Sequence, residues 1–196
     1  MHVFLYMTKK LKLILASASP RRSQLLKEAG LKFVIAKSNY DENNEENIPV
    51  QKLVLKHAIG KAKDVLSRYK EGLILGADTI VVLGDEIIGK PKGKKDAERI
   101  LKKLSGKTHQ VFTGFVLIDA KTKKIISKIA MTKVTFKKIS DAMIVEYLST
   151  SEYMDKAGAY AFQGRANKFI AKVIGSKTNV IGLPMEDFLE ELKKFH

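Results

Sequence analysis

The stretch LKLILASASPRRSQLL, residues 11–26, joins an apolar run to the start of an amphipathic one. Its first part, Leu11–Ala16, predicts a buried strand. Ser19 is a favourable N-cap. Pro20 suits the first helical position, because the N–H that proline lacks would have no partner within the helix at that position. Gly30 is placed to end the helix. We therefore expect a strand that runs directly into a helix.

The start of this helix carries groups that attract anions. Two hydroxyls, of Ser17 and Ser19, are followed by the adjacent guanidinium groups of Arg21 and Arg22. Free backbone N–H groups and the helix dipole favour a phosphate there, and arginine can bind it with two hydrogen bonds. A capped surface helix with solvated arginines explains the same residues equally well.

Composition limits the class of protein. The chain has 196 residues, 45% of them hydrophobic and 29% charged, which is enough for one core or for two modest lobes around a cleft. There is no cysteine, so disulfides, thiolate metal sites and cysteine nucleophiles are excluded. The four histidines lack an HExxH spacing, which argues against a zinc site.

The net charge of +15 allows two interpretations. It could mark a surface that binds nucleic acid or phosphate. It could also be a lysine-rich, solvated surface. The lysines are spread along the chain rather than clustered, which favours the second interpretation.

Residues 1–10 are interpreted as an N-terminal extension, and residues 11–196 as a single domain. The apolar part, residues 1–7, is too short to span a membrane and lacks the features of a secretory signal. We therefore expect a cytoplasmic protein without a membrane partner.

Two further segments contain charges in unusual places. Val50–Lys70 predicts a long helix, with Lys61 on its apolar side, where the ammonium group must reach either solvent or an anion. The preceding loop is acidic and could hold a divalent cation or be merely solvated. Its carboxylates are Asp41, Glu42, Glu45 and Glu46.

The most hydrophobic run, Leu73–Leu83, is interrupted by Asp78 and Thr79. A carboxylate in a buried strand is costly unless it is paired, bound to metal or directed into a cleft. Gly76 would leave room for a ligand to approach closely. A hairpin turn at Gly84 then returns the chain, with Lys90, toward the same region.

The remaining pattern predicts a mixed sheet, because strands and helices alternate at first and strands then cluster. The expected elements are strands Lys32–Lys37, Thr108–Ile118, Ile125–Lys137 and Phe169–Ile174, and helices Lys94–Leu104, Asp141–Leu148 and Met185–Phe195.

Six motifs in this order resemble the Maf family of nucleoside triphosphate pyrophosphatases. They are SxSPRR after the first strand, GADT at 76–79, GKP at 89–91, SGKTHQVFTG at 105–114, DKAGAYAFQG at 155–164 and NVIGLP at 179–184. The resemblance implies an α/β fold with an elongated mixed sheet flanked by helices, and two lobes around a central cleft. It also implies hydrolysis of a nucleoside triphosphate to the monophosphate and pyrophosphate with Mg²⁺ or Mn²⁺.

The same resemblance assigns roles to residues at matching positions. Asp78 would accept the proton and, with Glu42, bind the metal. The residues that would contact the substrate are Ser17, Ser19, Arg21, Arg22, Lys61, Thr79, Lys90 and Gln163. Family members that act on dTTP and UTP carry arginine, threonine and glutamine where this chain has Arg21, Thr79 and Gln163. The branch acting on 7-methyl-GTP has a tryptophan after the opening proline and a glutamine after the aspartate, and this chain has neither.

The side-chain amide of Gln163 can both donate and accept, so it suits the acceptor–donor–acceptor edge of uracil or thymine. The resemblance further implies a homodimer, a house-cleaning role and, in some members, a link to cell division. Two alternatives stay open: a broad-specificity nucleotide pyrophosphatase, and a non-catalytic basic regulator that binds nucleic acid. The chain has no recognition-helix signature and no interleaving of basic and aromatic residues, so we expect no specific nucleic-acid partner.

Overall fold

The computed structural model of the protein describes residues 12–44 and 48–195. The predicted N-terminal extension, residues 1–10, lies outside the described residues. The same holds for Leu11 of the predicted first strand, and for Glu45 and Glu46 of the acidic loop.

Strands and helices alternate in the first half of the chain. The strands are β1 (Leu13–Leu15), β2 (Phe33–Ile35), β3 (Leu73–Leu83), β4 (Glu86–Ile88), β5 (Thr108–Asp119), β6 (Ile125–Phe136) and β7 (Ile170–Ile174). The α-helices are α1 (Pro20–Glu28), α2 (Val50–Leu66), α3 (Lys94–Leu104), α4 (Asp141–Leu148), α5 (Lys177–Ile181) and α6 (Met185–Leu192). Short 3₁₀ helices cover Ala157–Ala159, Arg165–Phe169 and Lys193–Phe195.

Within the described residues, seven strands form one mixed sheet in the order β2-β1-β3-β5-β6-β7, and β4 pairs with β3. Strand β1 is parallel to both of its neighbours, with Ile14 opposite Val34 on one side and Ile74 on the other. The β3–β4 and β6–β7 pairs are antiparallel. The mixed sheet predicted from the sequence is therefore confirmed.

The chain divides into two compact units. Among the described residues, unit 1 comprises those up to 78, 113–130 and those from 182 onward, and unit 2 comprises residues 79–112 and 131–181. The chain passes between the units within β3, β5 and β6 and again after Ile181, and the first crossing falls between Asp78 and Thr79. The expectation of two lobes is confirmed, whereas the assignment of residues 11–196 to a single domain stays a prediction.

The predicted opening motif is present. Ser19 is the N-cap of α1 and Pro20 is its first residue. After the helix, Gly30 adopts a φ of 73°, a left-handed conformation that glycine tolerates best. Helix α2 ends at Leu66 instead of the predicted Lys70, because the following N–H groups of Arg68 and Tyr69 bond three residues back rather than four.

The core of unit 1 forms where α2 packs on the sheet. It contains Ala58, Ala62 and Val65 of the helix and Ile14 and Ile74 of the strands. A Cβ at Gly76 would overlap the carbonyl oxygen of Ala58. The expectation that Gly76 leaves space for a ligand was therefore wrong, because the helix backbone fills that space.

The core of unit 2 surrounds a group of edge-to-face aromatic rings. Phe136 contacts both Tyr160 and Phe169, with ring centroids 4.9 and 6.2 Å apart. His109 lies beside them, 1% exposed, with Nε2 2.8 Å from the Tyr160 hydroxyl. Within the described part of the chain its Nδ1 atom has no hydrogen-bond partner. Burial therefore lowers the pKa of His109 to about 4.

This burial predicts loss of stability in acid. Because the pKa of His109 is lower in the folded state than the 6.5 expected after unfolding, the unfolded chain binds the proton more tightly. The contribution of His109 to the free energy of unfolding is fully present above pH 6.5 and is lost as the pH drops toward 4. Between pH 7.5 and 5 this residue alone lowers the free energy of unfolding by about 2 kcal/mol.

Urea denaturation of the wild-type protein and of His109→Gln at both pH values measures this contribution. Carboxylates also titrate in this range, so the informative quantity is the difference between the two proteins. We expect His109→Gln to lose less stability on acidification. An equal loss in both would contradict the assignment.

No helix in residues 12–44 or 48–195 has both the length and the apolar character needed to cross a bilayer.

Candidate active site

Asp78 lies in the middle of β3 and is 5% exposed. Its Oδ1 atom accepts a hydrogen bond of 2.6 Å from the Lys61 ammonium group. An unpaired carboxylate at this depth would be strongly destabilising, and the ammonium group offsets part of that cost. The buried strand carboxylate is thus paired, one of the three arrangements expected from the sequence.

Lys61 also contacts a second carboxylate. Its Nζ atom lies 2.7 Å from Oε1 of Glu42, whose side chain is 31% exposed, whereas that of Lys61 is only 11% exposed. The ammonium group therefore reaches anions rather than solvent. Glu42, Lys61 and Asp78 form a group that we call the carboxylate–lysine cluster.

The positions of these side chains follow from the packing of α2 on β3. Gly76 lets the helix approach the strand closely, and Lys61 lies one residue before Ala62, which the missing Cβ would also contact. The segment that carries Glu42 follows β2 and contacts the helix at Lys61. Together, β3, α2 and this segment each supply one member of the carboxylate–lysine cluster.

Arg22 is buried at the first turn of α1. Its Nε atom donates to the carbonyl oxygen of Gly182 at 2.7 Å, and Nη1 donates to Ser17 Oγ at 3.1 Å. Burial lowers the pKa of Arg22, the charge of Asp78 opposes this shift, and Arg21 adds to it. The charges of Asp78 and Glu42 both raise the pKa of Arg22, the direction expected for carboxylates near a guanidinium group.

The hydroxyls of the opening motif bind the backbone at the start of α1. Ser17 Oγ accepts from the N–H of Ser19 at 3.2 Å, and Ser19 Oγ accepts from the N–H of Arg22 at 3.5 Å. The sequence-based assignment of Ser19 as N-cap is confirmed. Direct contact of either hydroxyl with a phosphate stays a prediction.

Unit 2 contains the other predicted site residues. Thr79 is half-buried in β3, whereas Lys90 and Gln163 are exposed. The N–H of Gly158 donates to the carbonyl oxygen of Gly89 at 3.2 Å, which joins the segment 155–164 to the residue before Lys90. The structure thus links the backbone segments that carry Lys90 and Gln163.

The carboxylate oxygens of Asp78 and Glu42 are donors of the kind that suits a hard cation. One oxygen from each of Asp78 and Glu42 is directed at the same positive charge, that of Lys61. Residues 12–44 and 48–195 contain no cluster of three or more histidine or acidic side chains that could hold a metal alone. Mg²⁺ commonly binds to one or two carboxylates and completes its shell with water and substrate phosphates. The two carboxylates fit that mode.

Sequence reasoning missed several partners of these residues. Gly182 belongs to the NVIGLP motif, but nothing in its residue type indicated that its carbonyl oxygen accepts from Arg22. His57 also contacts both Tyr40 and Asn44, which lie two residues before and two residues after Glu42. A polar residue on the apolar side of a predicted helix, as His57 is, was the available signal.

A sequence model described as Maf-like protein matches residues 12–195 of the chain. A dTTP/UTP pyrophosphatase of Desulforamulus reducens is 47% identical, over 93% of this chain and 96% of the relative. Proteins of the same name from Acetivibrio thermocellus and Methanosarcina barkeri are 44% and 43% identical, over 94% and 88% of this chain and 95% and 88% of theirs.

Among solved structures, the Staphylococcus aureus Ham1 protein is similar, with a TM-score of 0.51 and 9% identity. The similarity covers 94% of this chain and 97% of that one. At this identity it supports the fold alone, and it agrees with the predicted mixed α/β architecture.

Proposed function

Because the chain belongs to the Maf family, we propose that it hydrolyses dTTP and UTP to the corresponding monophosphate and pyrophosphate. The observation that carries the proposal is the carboxylate–lysine cluster, whose two carboxylates raise the pKa of Arg22. It combines a carboxylate able to accept a proton with positive charge able to neutralise phosphates. Relatives 43–47% identical to this chain carry the name dTTP/UTP pyrophosphatase, which supports the choice of substrate.

In the proposed reaction, Asp78 orients a water molecule toward the α-phosphorus and accepts its proton. The water oxygen bonds to the α-phosphorus, the bond from that phosphorus to the oxygen it shares with the β-phosphorus breaks, and pyrophosphate leaves. A positioned carboxylate of this kind acts as a general base. Its position in a buried strand and its 2.6 Å hydrogen bond to Lys61 hold the side chain in place.

We assign Glu42 and Asp78 as ligands of Mg²⁺ or Mn²⁺, which when bound neutralises charge on the phosphate oxygens. Lys61 holds the two carboxylates together and adds charge of its own. Arg21, Arg22 and Lys90 supply further positive charge toward the phosphates. Of these, Arg22 is held rigidly by Gly182 and Ser17, which suits a role in shaping the site.

We further propose that Thr79 and Gln163, with Arg21, recognise the pyrimidine. The amide of Gln163 can pair with the acceptor–donor–acceptor edge of uracil or thymine. A purine would leave such polar groups unpaired, and sites of this kind discriminate strongly. The hydroxyls of Ser17 and Ser19 are assigned to the phosphate side.

The experiment is product analysis of dTTP, UTP, CTP, GTP and 7-methyl-GTP with Mg²⁺ or Mn²⁺, alongside a sample treated with a chelator. We expect monophosphate and pyrophosphate from dTTP and UTP, and a fall of about 100-fold or more on chelation, since charge neutralisation of the phosphates dominates such reactions. Equal turnover of all nucleotides would replace the pyrimidine preference with broad specificity. No turnover of any nucleotide would overturn the proposal.

The proposal places the enzyme in the cytoplasm as a homodimer, which family membership favours. Light scattering of the purified protein during gel filtration measures the mass in solution. A single species at the mass of one chain, 21.9 kDa, would contradict the dimer.

A further inference from the structure

The segment that carries Glu42 lies along α2 and is attached to it at several points. Two residues beyond the end of the helix, Arg68 donates from Nη2 to the carbonyl oxygen of Lys37 at 2.7 Å. The next contact is from the N–H of Asn39 to Oδ2 of Asp64, at 3.0 Å. The segment therefore runs antiparallel to the helix, and its later residues reach the helix one to two turns earlier.

His57 contacts the residues two positions before and two positions after Glu42. His57 itself is completely buried, and its two ring nitrogens have different partners. Nε2 lies 3.2 Å from Oδ1 of Asn44, an acceptor, so Nε2 carries the proton and donates. Nδ1 lies 3.2 Å from the Tyr40 hydroxyl and accepts from it. Both polar atoms of the imidazole are thus used to hold this one segment.

The two residues that His57 contacts lie on either side of Glu42 in the sequence. Tyr40 precedes Glu42 by two residues and Asn44 follows it by two, so one imidazole fixes the backbone on both sides of this carboxylate. His57 and Lys61 lie four residues apart on α2, hence one turn apart on the same face. The carboxylate of Glu42 is consequently placed over the next turn of the helix, against the Lys61 ammonium group.

Gly60 supplies the space that this arrangement needs. A Cβ at residue 60 would overlap the Tyr40 ring. The ring itself is tilted 57° to that of His57, with centroids 5.8 Å apart. A glycine within a helix normally lowers its stability. Here it lets the Tyr40 ring lie directly on the helix backbone.

We propose that His57 is a positioning residue, which holds Tyr40 and Asn44 and thereby sets Glu42 against Lys61 and Asp78. The catalytic consequence rests on the function proposed above. The docking of the segment rests only on the contacts of His57 and Gly60. The two parts can therefore be tested separately.

Hydrogen exchange of the metal-free protein tests the docking. Tyr40→Phe removes one hydroxyl and leaves the ring, and His57→Leu removes both hydrogen bonds. We expect faster exchange of the amides in residues 38–44 in both variants, with unchanged exchange in α2. Tyr69→Phe is the matched control, because Tyr69 follows α2 and packs against the core of unit 1. Unchanged exchange in residues 38–44 of both variants would overturn the proposal.

A double-mutant cycle tests the catalytic consequence. Loss of one hydrogen bond in Tyr40→Phe should lower kcat/KM about fivefold, and loss of two in His57→Leu about tenfold to thirtyfold. If the contacts act through Glu42, Tyr40→Phe should have less than a twofold effect in a Glu42→Gln background. The full fivefold effect in that background would overturn the positioning role.

Failure of the proposed function can be distinguished from failure of the positioning role of His57. A wild-type protein that hydrolyses no nucleotide removes both the proposed reaction and the catalytic consequence. The exchange experiment needs no turnover and would still decide whether His57 holds the segment.

Discussion

Asp78→Asn should lower kcat for dTTP and UTP about 1,000-fold, within the range of 10²–10⁴ that a positioned general base contributes. The substitution keeps the size and shape of the side chain but removes its ability to accept a proton. It also weakens the proposed metal site, because an amide oxygen carries no formal charge. Initial rates of pyrophosphate release at saturating nucleotide and Mg²⁺ measure the effect.

The matched control is Asp85→Asn, the same change at an exposed aspartate of the turn that follows β3. We expect this variant to keep full activity. Thermal unfolding of both variants shows whether the fold is retained, since Lys61 of Asp78→Asn still has Glu42 as an ion-pair partner. Retention of more than a tenth of the wild-type kcat in folded Asp78→Asn would exclude Asp78 as the base.

Lys61→Met should have the second largest effect, on activity and on stability together. The change leaves the buried carboxylate of Asp78 without the ammonium group that lies 2.6 Å away. Removing one member of a buried ion pair typically costs about 3–5 kcal/mol of stability, because the remaining charge is desolvated and uncompensated. We expect kcat/KM to fall about 100-fold or more, since positive charge near the phosphates is lost as well.

The Lys61→Met variant also tests the assignment of Glu42 and Asp78 as metal ligands. With the ammonium group absent, Glu42 and Asp78 lose the cation that contacts both of them, and an added divalent cation can take its place. Mg²⁺ or Mn²⁺ should therefore raise the melting temperature of Lys61→Met more than that of the wild type. Lys63→Met, on an exposed position of the same helix, should behave like the wild type. An equal rise in all three proteins would contradict the assignment of these carboxylates as metal ligands.

Much of the architecture could be predicted because it depends on local patterns. The N-cap Ser19 and the break at Gly30 mark α1, and hydrophobic runs mark the strands. Element ends were less predictable. Strand β7 begins at Ile170 rather than Phe169, because a 3₁₀ helix over Arg165–Phe169 runs up to it. The short helix α5, Lys177–Ile181, carries too few residues for a periodic signal.

The candidate site was predictable in its members but less so in their contacts. Asp78 stood out because a carboxylate interrupts an apolar strand, and Lys61 because an ammonium group falls on an apolar helix face. That the two side chains pair with each other depends on the packing of α2 against β3. Likewise, Gly76 signalled a close approach, but only the structure identifies the approaching group as the helix backbone.

The sequence by itself determined the order of the strands and the longer helices, the family and the chemical types of the site residues, because these depend on periodicity, capping and motifs within short segments. Only the tertiary structure decided that Lys61 bridges Glu42 and Asp78, that Gly182 anchors Arg22 and that His57 holds the segment around Glu42. These contacts join residues between 13 and 160 positions apart. Such distances in sequence carry no local signal, since only the packing of whole elements brings the side chains within hydrogen-bonding range.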